Sequence, residues 1–458
     1  MSTLNKEGEG YRIHTKGAID SLLKISTSAL VDDKIVPLTK ALKADYLRVA
    51  EEMSDDALRV LGAAYKDTSR VLGPEEMETD LTLIGLVGMI DPPRLEVKAS
   101  IHDAKLAGIT PIMITGDHKN TAVAIAKELG IADSLEQSIT GAELDELTEE
   151  ELAGEIDKFR VFARVSPEHK VKIVQAFQSQ GNIVSMTGDG VNDAPSLKYA
   201  DIGVAMGITG TDVAKGASDM ILTDDNFTTI VHAIEEGRNI YNNIRKSVIF
   251  LLSCNLGEVI TIFMSILLNW PVPLIATQLL WINLITDSLP AISLGVDPGD
   301  HDVMLHKPRN PKESFFAEGA GFRAILGGIL IGCFTLFAFY WGLNEQGYTL
   351  KNINSTAADP AYRAALTYAR TMAFVVLAAS QLFYSLSMRS TTKLLLQLGV
   401  FTNRYLIGSI FVGILLQYVV ISVPFLADAF SVHQLSVQDW VRVIIFALVP
   451  LIANEIIK

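Results

Sequence analysis

The chain has 458 residues, 49% of them apolar, a net charge of −14 and two cysteines. No basic stripe stands out against that acidity, so no nucleic-acid partner is expected. Cys254 and Cys333 both sit inside apolar runs, which excludes a disulfide scaffold. The opening MSTLNKEGEG carries no apolar stretch of a secretory leader.

From about residue 18 to 70 the text is polar and reads as helical, ending in Ala57-Leu58-Arg59-Val60-Leu61. Beyond it, apolar runs at 81–90, 110–115, 161–163, 183–186, 202–205 and 220–222 alternate with helical stretches at 95–107, 121–129 and 170–178. Strands alternating with helices predict a parallel α/β sheet. The acidic, amphipathic segment 143–157 is expected to be a solvated helix. Six apolar runs follow, at 247–270, 273–295, 324–341, 372–387, 405–426 and 441–457. Each is close to the roughly 18–25 residues that cross a bilayer. Lys307, Arg309, Lys312 and Arg323 lie between the second and third runs, and Arg389, Lys393 and Arg404 between the fourth and fifth. The positive-inside rule places both groups in the cytosol.

Three acidic loops follow expected strands: Thr115-Gly116-Asp117, Thr187-Gly188-Asp189-Gly190-Val191-Asn192-Asp193 and Thr223-Asp224-Asp225-Asn226. In open parallel sheets ligands bind where strands run into their following loops. Glycines there admit an anion close to the backbone, and carboxylates with hydroxyls suit Mg²⁺ and a phosphate. Lys170, after Arg164 and Pro167, is placed to offset phosphoryl charge as a point cation. A lone Thr-Gly-Asp fits a surface turn as well. The longer string, with two carboxylates, an asparagine and two glycines after an apolar strand, has no comparable packing explanation.

Polar groups inside apolar runs are costly and mark function. Asn255 and Glu258 are three apart; Asn283, Thr286 and Asp287 fall at i, i+3 and i+4, one face of an α-helix. Two such helices offer an all-oxygen set suited to a hard cation such as Ca²⁺. The alternative is a hydrogen-bond cluster between helices.

The run MTGDGVNDAPSLKYADIGVAMG, with ITGDH before it and Asp91-Pro92-Pro93-Arg94 further upstream, resembles the phosphorylation domain of P-type ATPases, of haloacid-dehalogenase-like fold. The resemblance implies that Asp189 ligates Mg²⁺, that Thr115 and Gly116, followed by Asp117, form the phosphate loop, and that Lys170 contacts the phosphoryl group. It implies that Asn192 and Asp193 order the site. Lys16 and Arg59 resemble nucleotide-contacting residues, and Arg164 is grouped with them; Asp91–Arg94 resembles the hinge strand to the nucleotide domain. SCNLGEVI and LLWINLITDSLPAISLG resemble the fifth and sixth spans of calcium pumps of the sarco/endoplasmic-reticulum type. That match assigns the transported cation to Asn255, Glu258, Asn283, Thr286 and Asp287. Gln381 is grouped with these transported-cation residues; it stands where two-calcium pumps carry a glutamate and plasma-membrane-type pumps a glutamine.

The implied organisation is the C-terminal part of a nucleotide-binding domain over 1–88, a phosphorylation domain over 89–228, a stalk over 229–246 and six transmembrane helices over 247–458. The fold class is thus α/β followed by an all-α membrane bundle. The implied function is ATP-driven Ca²⁺ export through an aspartyl-phosphate cycle, with Mg²⁺ and ATP. Another cation, Mn²⁺ or Na⁺, or a non-catalytic half of a split pump, is the alternative. The sequence contains neither DKTGT nor TGES. The expectation is therefore a C-terminal half without the nucleophile and actuator domain, inactive alone. The ending ANEIIK looks bacterial, which suggests a multi-pass protein of a bacterial cytoplasmic membrane.

Overall fold

A computed structural model describes residues 1–55, 58–89, 94–300, 302–317, 319–349 and 359–458. Asp91, Pro92 and Pro93 of the expected hinge lie outside the described residues. The chain divides into two compact units, residues 1–233 with 304–308, and residues 234–303 with 309–458.

The first unit opens with a six-stranded sheet in the order β1-β2-β5-β6-β3-β4. Its strands are β1 Ser2–Glu7, β2 Gly10–Gly17, β3 Ser26–Val31, β4 Lys34–Pro37, β5 Arg59–Thr68 and β6 Leu81–Met89. All neighbours are antiparallel except β3 and β6. This corrects two expectations. Residues 18–70 are not mainly helical, and the 81–90 run joins this mixed sheet instead of the parallel one. The signal was present in β2, where Ile13 and Thr15 are buried while His14 and Lys16 are exposed, the period of two that a half-buried strand requires. In β5 the run Leu-Gly-Ala-Ala hides that alternation, because small residues fit either face. Helices Ile19–Ile25 and Lys40–Asp55 cover one side, with Leu22, Leu23, Ala29, Ala64, Leu81 and Leu83 as the core.

The α/β part that follows contains two three-stranded parallel sheets, not one. One has the order β7-β9-β8, with β7 Met113–Ile114, β8 Ser138–Thr140 and β9 Val161–Ala163. The other runs β10-β11-β12, with β10 Ser185–Gly188, β11 Ile202–Met206 and β12 Met220–Leu222. Helix Pro167–Ser179 serves both. Ile173, Ala176 and Phe177 pack with Phe162 of the first sheet, and Val174 packs with Met186 and Ala205 of the second. The 143–157 segment is two short helices, Gly141–Asp145 and Glu149–Glu155. Each is started by a Thr–Glu capping box, and Leu144, Leu152 and Ile156 are buried, so only one face is solvated.

Among the described residues, five helices are long and apolar enough to cross a membrane: Phe227–Leu267, Ala320–Glu345, Pro360–Ser387, Arg404–Ser422 and Val437–Ile457. The second expected run, 273–295, does not form one uninterrupted α-helix. It consists of Ala276–Trp281, a π-helical turn over Ile282–Thr286 and Ser288–Gly295. Pro290 supplies the reason. It has no N–H for the carbonyl of Thr286, and its ring would clash there in a regular helix. Helix Pro360–Ser387 is the centre of the bundle, with every residue from Thr371 to Leu382 buried. Glycines of neighbouring helices meet it closely: a Cβ at Gly327 would collide with the Tyr384 hydroxyl, and one at Gly413 with Leu382.

Several charges expected as cytosolic anchors are paired. Arg389 Nε lies 2.9 Å from Asp297 Oδ1, both side chains almost wholly buried. Asn403 Nδ2 also donates to that oxygen at 2.7 Å, and Lys246 Nζ lies 3.6 Å from Oδ2. Lys393 pairs with Asp300 and Asp302.

Candidate functional sites

The first centre is built at the C-terminal ends of β7 and β10. The turn after β7 is closed on itself: Thr115 Oγ1 donates to Asp117 Oδ2 and accepts from the Asp117 amide, both at 3.1 Å. The Asp117 carbonyl accepts the Arg164 amide at 3.1 Å, and Arg164 adopts a left-handed backbone with φ +51. Gly116 is exposed, leaving its backbone open to an approaching anion.

The loop after β10 is organised by Asp193. Its Oδ1 receives Lys170 Nζ at 2.5 Å, and its Oδ2 accepts the amides of Asp189 and Gly190 at 3.2 and 3.0 Å. Burial pushes this carboxyl up, but Lys170 and the two amides outweigh it and hold it below the ordinary aspartate range. Gly188 is required beside it, since a Cβ there would collide with the Asp193 side chain. Asp189 differs in every respect. It is exposed and its carboxylate makes no hydrogen bond among the described residues; only its backbone is used, the amide by Asp193 and the carbonyl by the Thr211 amide at 2.8 Å. An exposed carboxylate with its oxygens free is the kind of hard oxygen donor that fits Mg²⁺. Asn192 is exposed, so the expected Asn192–Asp193 pair is divided: Asp193 orders the loop and Asn192 faces solvent. The third acidic loop is structural. The Asp225 carboxylate accepts the amides of Ile208, Thr209 and Gly207, which hold it down to about 2.

Lys16 and Arg59 stand on neighbouring strands, near the end where Gly17 of β2 pairs with Gly62 of β5. Lys16 is exposed.

The second centre lies in the helical unit. Glu258 is buried; its Oε2 accepts Asn283 Nδ2 at 2.8 Å and its Oε1 accepts Gln381 Nε2 at 3.3 Å. Three helical elements therefore converge on one carboxylate. Asp287 and Thr286 are each 1% exposed. Apart from the weak Cys254 thiol beside it, neither oxygen of Asp287 has a hydrogen-bond partner among the described residues, and the Glu258 carboxylate lies within electrostatic reach. A buried carboxylate normally satisfies its lone pairs, so this pair of acceptors is what a cation site provides. The π turn shapes it: the Asp287 amide bonds the Ile282 carbonyl at 2.9 Å, and the bypassed Asn283 carbonyl takes Ser288 Oγ at 3.3 Å. Asn255 does not join. It is exposed and donates to its own helix at Leu251.

Sequence reasoning missed Cys254 and the π turn. Cys254 was readable as the residue four before Glu258, hence on the same helix face, and the turn was readable from Pro290.

Residues 271–458 match the family described as cation transporting ATPase, C-terminus, and residues 1–96 match P-type ATPase, cytoplasmic domain N. Calcium-transporting ATPase 1 of Bacillus cereus is 56% identical over all of this chain and 52% of the relative. The calcium-transporting ATPase of Bacillus subtilis is 44% identical over 97% of the chain and 48% of the relative. The human calcium-transporting ATPase type 2C member 1 is 40% identical over 97% and 45%. The chain thus spans about half the length of the curated relatives it matches. The two family matches together cover more than half of its residues, and the chain belongs to the P-type cation-transporting ATPases.

Proposed function

We propose that these residues are the coupling and ion-binding half of an ATP-driven Ca²⁺ transporter that works through an aspartyl-phosphate cycle. The buried Asp287 with two unsatisfied oxygens, next to Glu258, is the observation that carries it. In this reading residues 1–88 belong to the nucleotide domain, 89–228 form the haloacid-dehalogenase-like domain, 229–246 are a stalk, and 247–458 cross the membrane six times, the interrupted 276–295 segment included. Glu258, Asn283, Thr286 and Asp287 hold the ion, and Gln381 fixes Glu258. Calcium suits an all-oxygen, two-carboxylate site; Mn²⁺ is the nearest competitor, since such donors separate hard divalent ions weakly.

At the phosphoryl centre, Asp189 with Thr115 would hold Mg²⁺, which supplies charge to the transferring phosphate when bound. Lys170 adds a positive charge there and is oriented by Asp193. Lys16, Arg59 and Arg164 are assigned to the nucleotide side. The sequence contains no DKTGT, so in this reading the acceptor aspartate is supplied from outside these 458 residues. The membrane is the cytoplasmic membrane of a bacterium.

The test joins these residues to the N-terminal half of the Bacillus cereus relative and measures phosphorylation by ATP and uptake of radioactive calcium into vesicles. Calcium-dependent phosphoenzyme and uptake are expected. Phosphorylation driven by another cation and indifferent to calcium overturns the cation assignment.

A further inference from the structure

His169 has no role in the chemistry above, yet it is buried and bonded on both ring nitrogens. Nδ1 accepts the Ser166 amide at 3.0 Å, and Ser166 Oγ accepts the His169 amide in return at 3.4 Å. This is a capping box in which histidine occupies the place usually held by glutamate or glutamine. The other nitrogen, Nε2, lies 2.9 Å from Asp145 Oδ1, on the short helix before β9. A ring nitrogen that accepts an N–H carries no proton, so the neutral ring has its hydrogen on Nε2 and donates it to Asp145. Gly141 closes the remaining side: any Cβ there would press on Nδ1 and Cε1 of the ring and on the Arg164 carbonyl. The ring is clamped in one tautomer and one orientation.

What it clamps is the first turn of helix Pro167–Ser179, and the next residue is Lys170. Lys170 Nζ reaches Asp193, and Asp193 in turn holds the amides of the Asp189 loop. We infer that His169, locked between Ser166 and Asp145, is a positioning residue that sets Lys170 against the phosphoryl centre. An alanine at 169 leaves the Ser166 amide without its acceptor and frees the helix start. A displacement of about 1 Å in a group that contacts the transition state costs on the order of tenfold or more. Glutamine can still cap Ser166. The inference rests on the phosphoryl-transfer reading for its consequence, but not for its geometry.

Two measurements test it. The 458-residue chain, labelled with ¹⁵N at histidine and held in lipid nanodiscs, gives the His169 resonances by their loss in His169→Gln. One neutral tautomer, protonated at Nε2 only, is expected; averaging between the two tautomers overturns the clamp, whatever the protein's function. In the joined polypeptide described above, His169→Ala should lower the rate of phosphoenzyme formation roughly tenfold with the KM for ATP unchanged, and His169→Gln should restore most of it. Wild-type rates in both variants, or equal losses, overturn the positioning role. If the unsubstituted joined protein forms no phosphoenzyme, the functional reading fails while the tautomer measurement still decides the clamp.

Discussion

Asp193 and Asp287 are both buried aspartates at the heart of a centre, and they are treated in opposite ways. Asp193 is saturated: a lysine on one oxygen, two amides on the other. Among the described residues Asp287 has only a thiol as a hydrogen-bond partner. A saturated carboxylate has little capacity left for a ligand and serves as a fixed strut. An unsaturated one holds its acceptors for something that arrives and leaves. The same division recurs within the phosphoryl loop, where Asp189 is free four residues from Asp193. Among these three aspartates, hydrogen-bond saturation, more than burial, separates the strut from the two proposed to take a ligand, and Glu258, with one amide on each oxygen, lies between them.

This contrast can be broken at several points. The largest effect is expected at Asp287. In the joined protein, Asp287→Asn should abolish calcium-dependent phosphorylation, because one charge near a cation at moderate dielectric is worth about 4 kcal/mol, well over a hundredfold in affinity. Equilibrium binding of radioactive calcium checks it, and normal binding would remove Asp287 from the site. Next, Asp189→Asn should reduce Mg²⁺-dependent phosphorylation about a hundredfold or more while nucleotide affinity persists. Thermal unfolding of the same variant should shift by less than about 0.5 kcal/mol, as befits an exposed, unbonded side chain. A large loss of stability would show that Asp189 is a strut after all.

Asp193→Ala should behave in the reverse way, costing about 3 kcal/mol in stability of the soluble unit, because Lys170 and two amides lose their partner. The pH dependence carries the same signature. The folded carboxyl sits below its unfolded value of about 3.9, so its stabilisation is fully present above that pH and is lost as pH falls through the folded value. Acid unfolding of the wild type should therefore steepen below about pH 4, and Asp193→Asn should flatten that limb. The smallest effect is at Gln381. Gln381→Glu places a second acid on Glu258 and should raise calcium affinity a few-fold or add a bound ion; unchanged calcium binding would reduce Gln381 to packing.

The acidic loops, the apolar runs and the Glu258–Asp287 pairing were legible because each depends on residue types at fixed local spacing. What escaped depended on distant partners. Asn255 was expected beside Glu258 on helix geometry, yet its amide turns back to Leu251. Lys170 reads as a cation for phosphate; that it is pinned to Asp193 follows from the approach of a helix to a loop 23 residues away in sequence. The mixed, mostly antiparallel sheet of residues 2–89 was obscured where Gly and Ala erase the alternation of β5. The uninterrupted second span failed for a local reason that the proline announced.

The helix Pro360–Ser387 has one more consequence. A membrane helix usually has a lipid-facing side on which sequence can drift, since one apolar residue there is much like another. This helix has no such side along Thr371–Leu382. Enlarging Ala373, Ala378 or Ser380 finds protein in every direction, so substitutions there are limited by volume as strictly as in the interior of a soluble domain. Gln381, and through it Glu258, hangs from the element of the bundle least free to change. The proposed ion site is thus referred to a fixed datum, and variation among relatives of this chain should collect on the surrounding helices before it reaches that one.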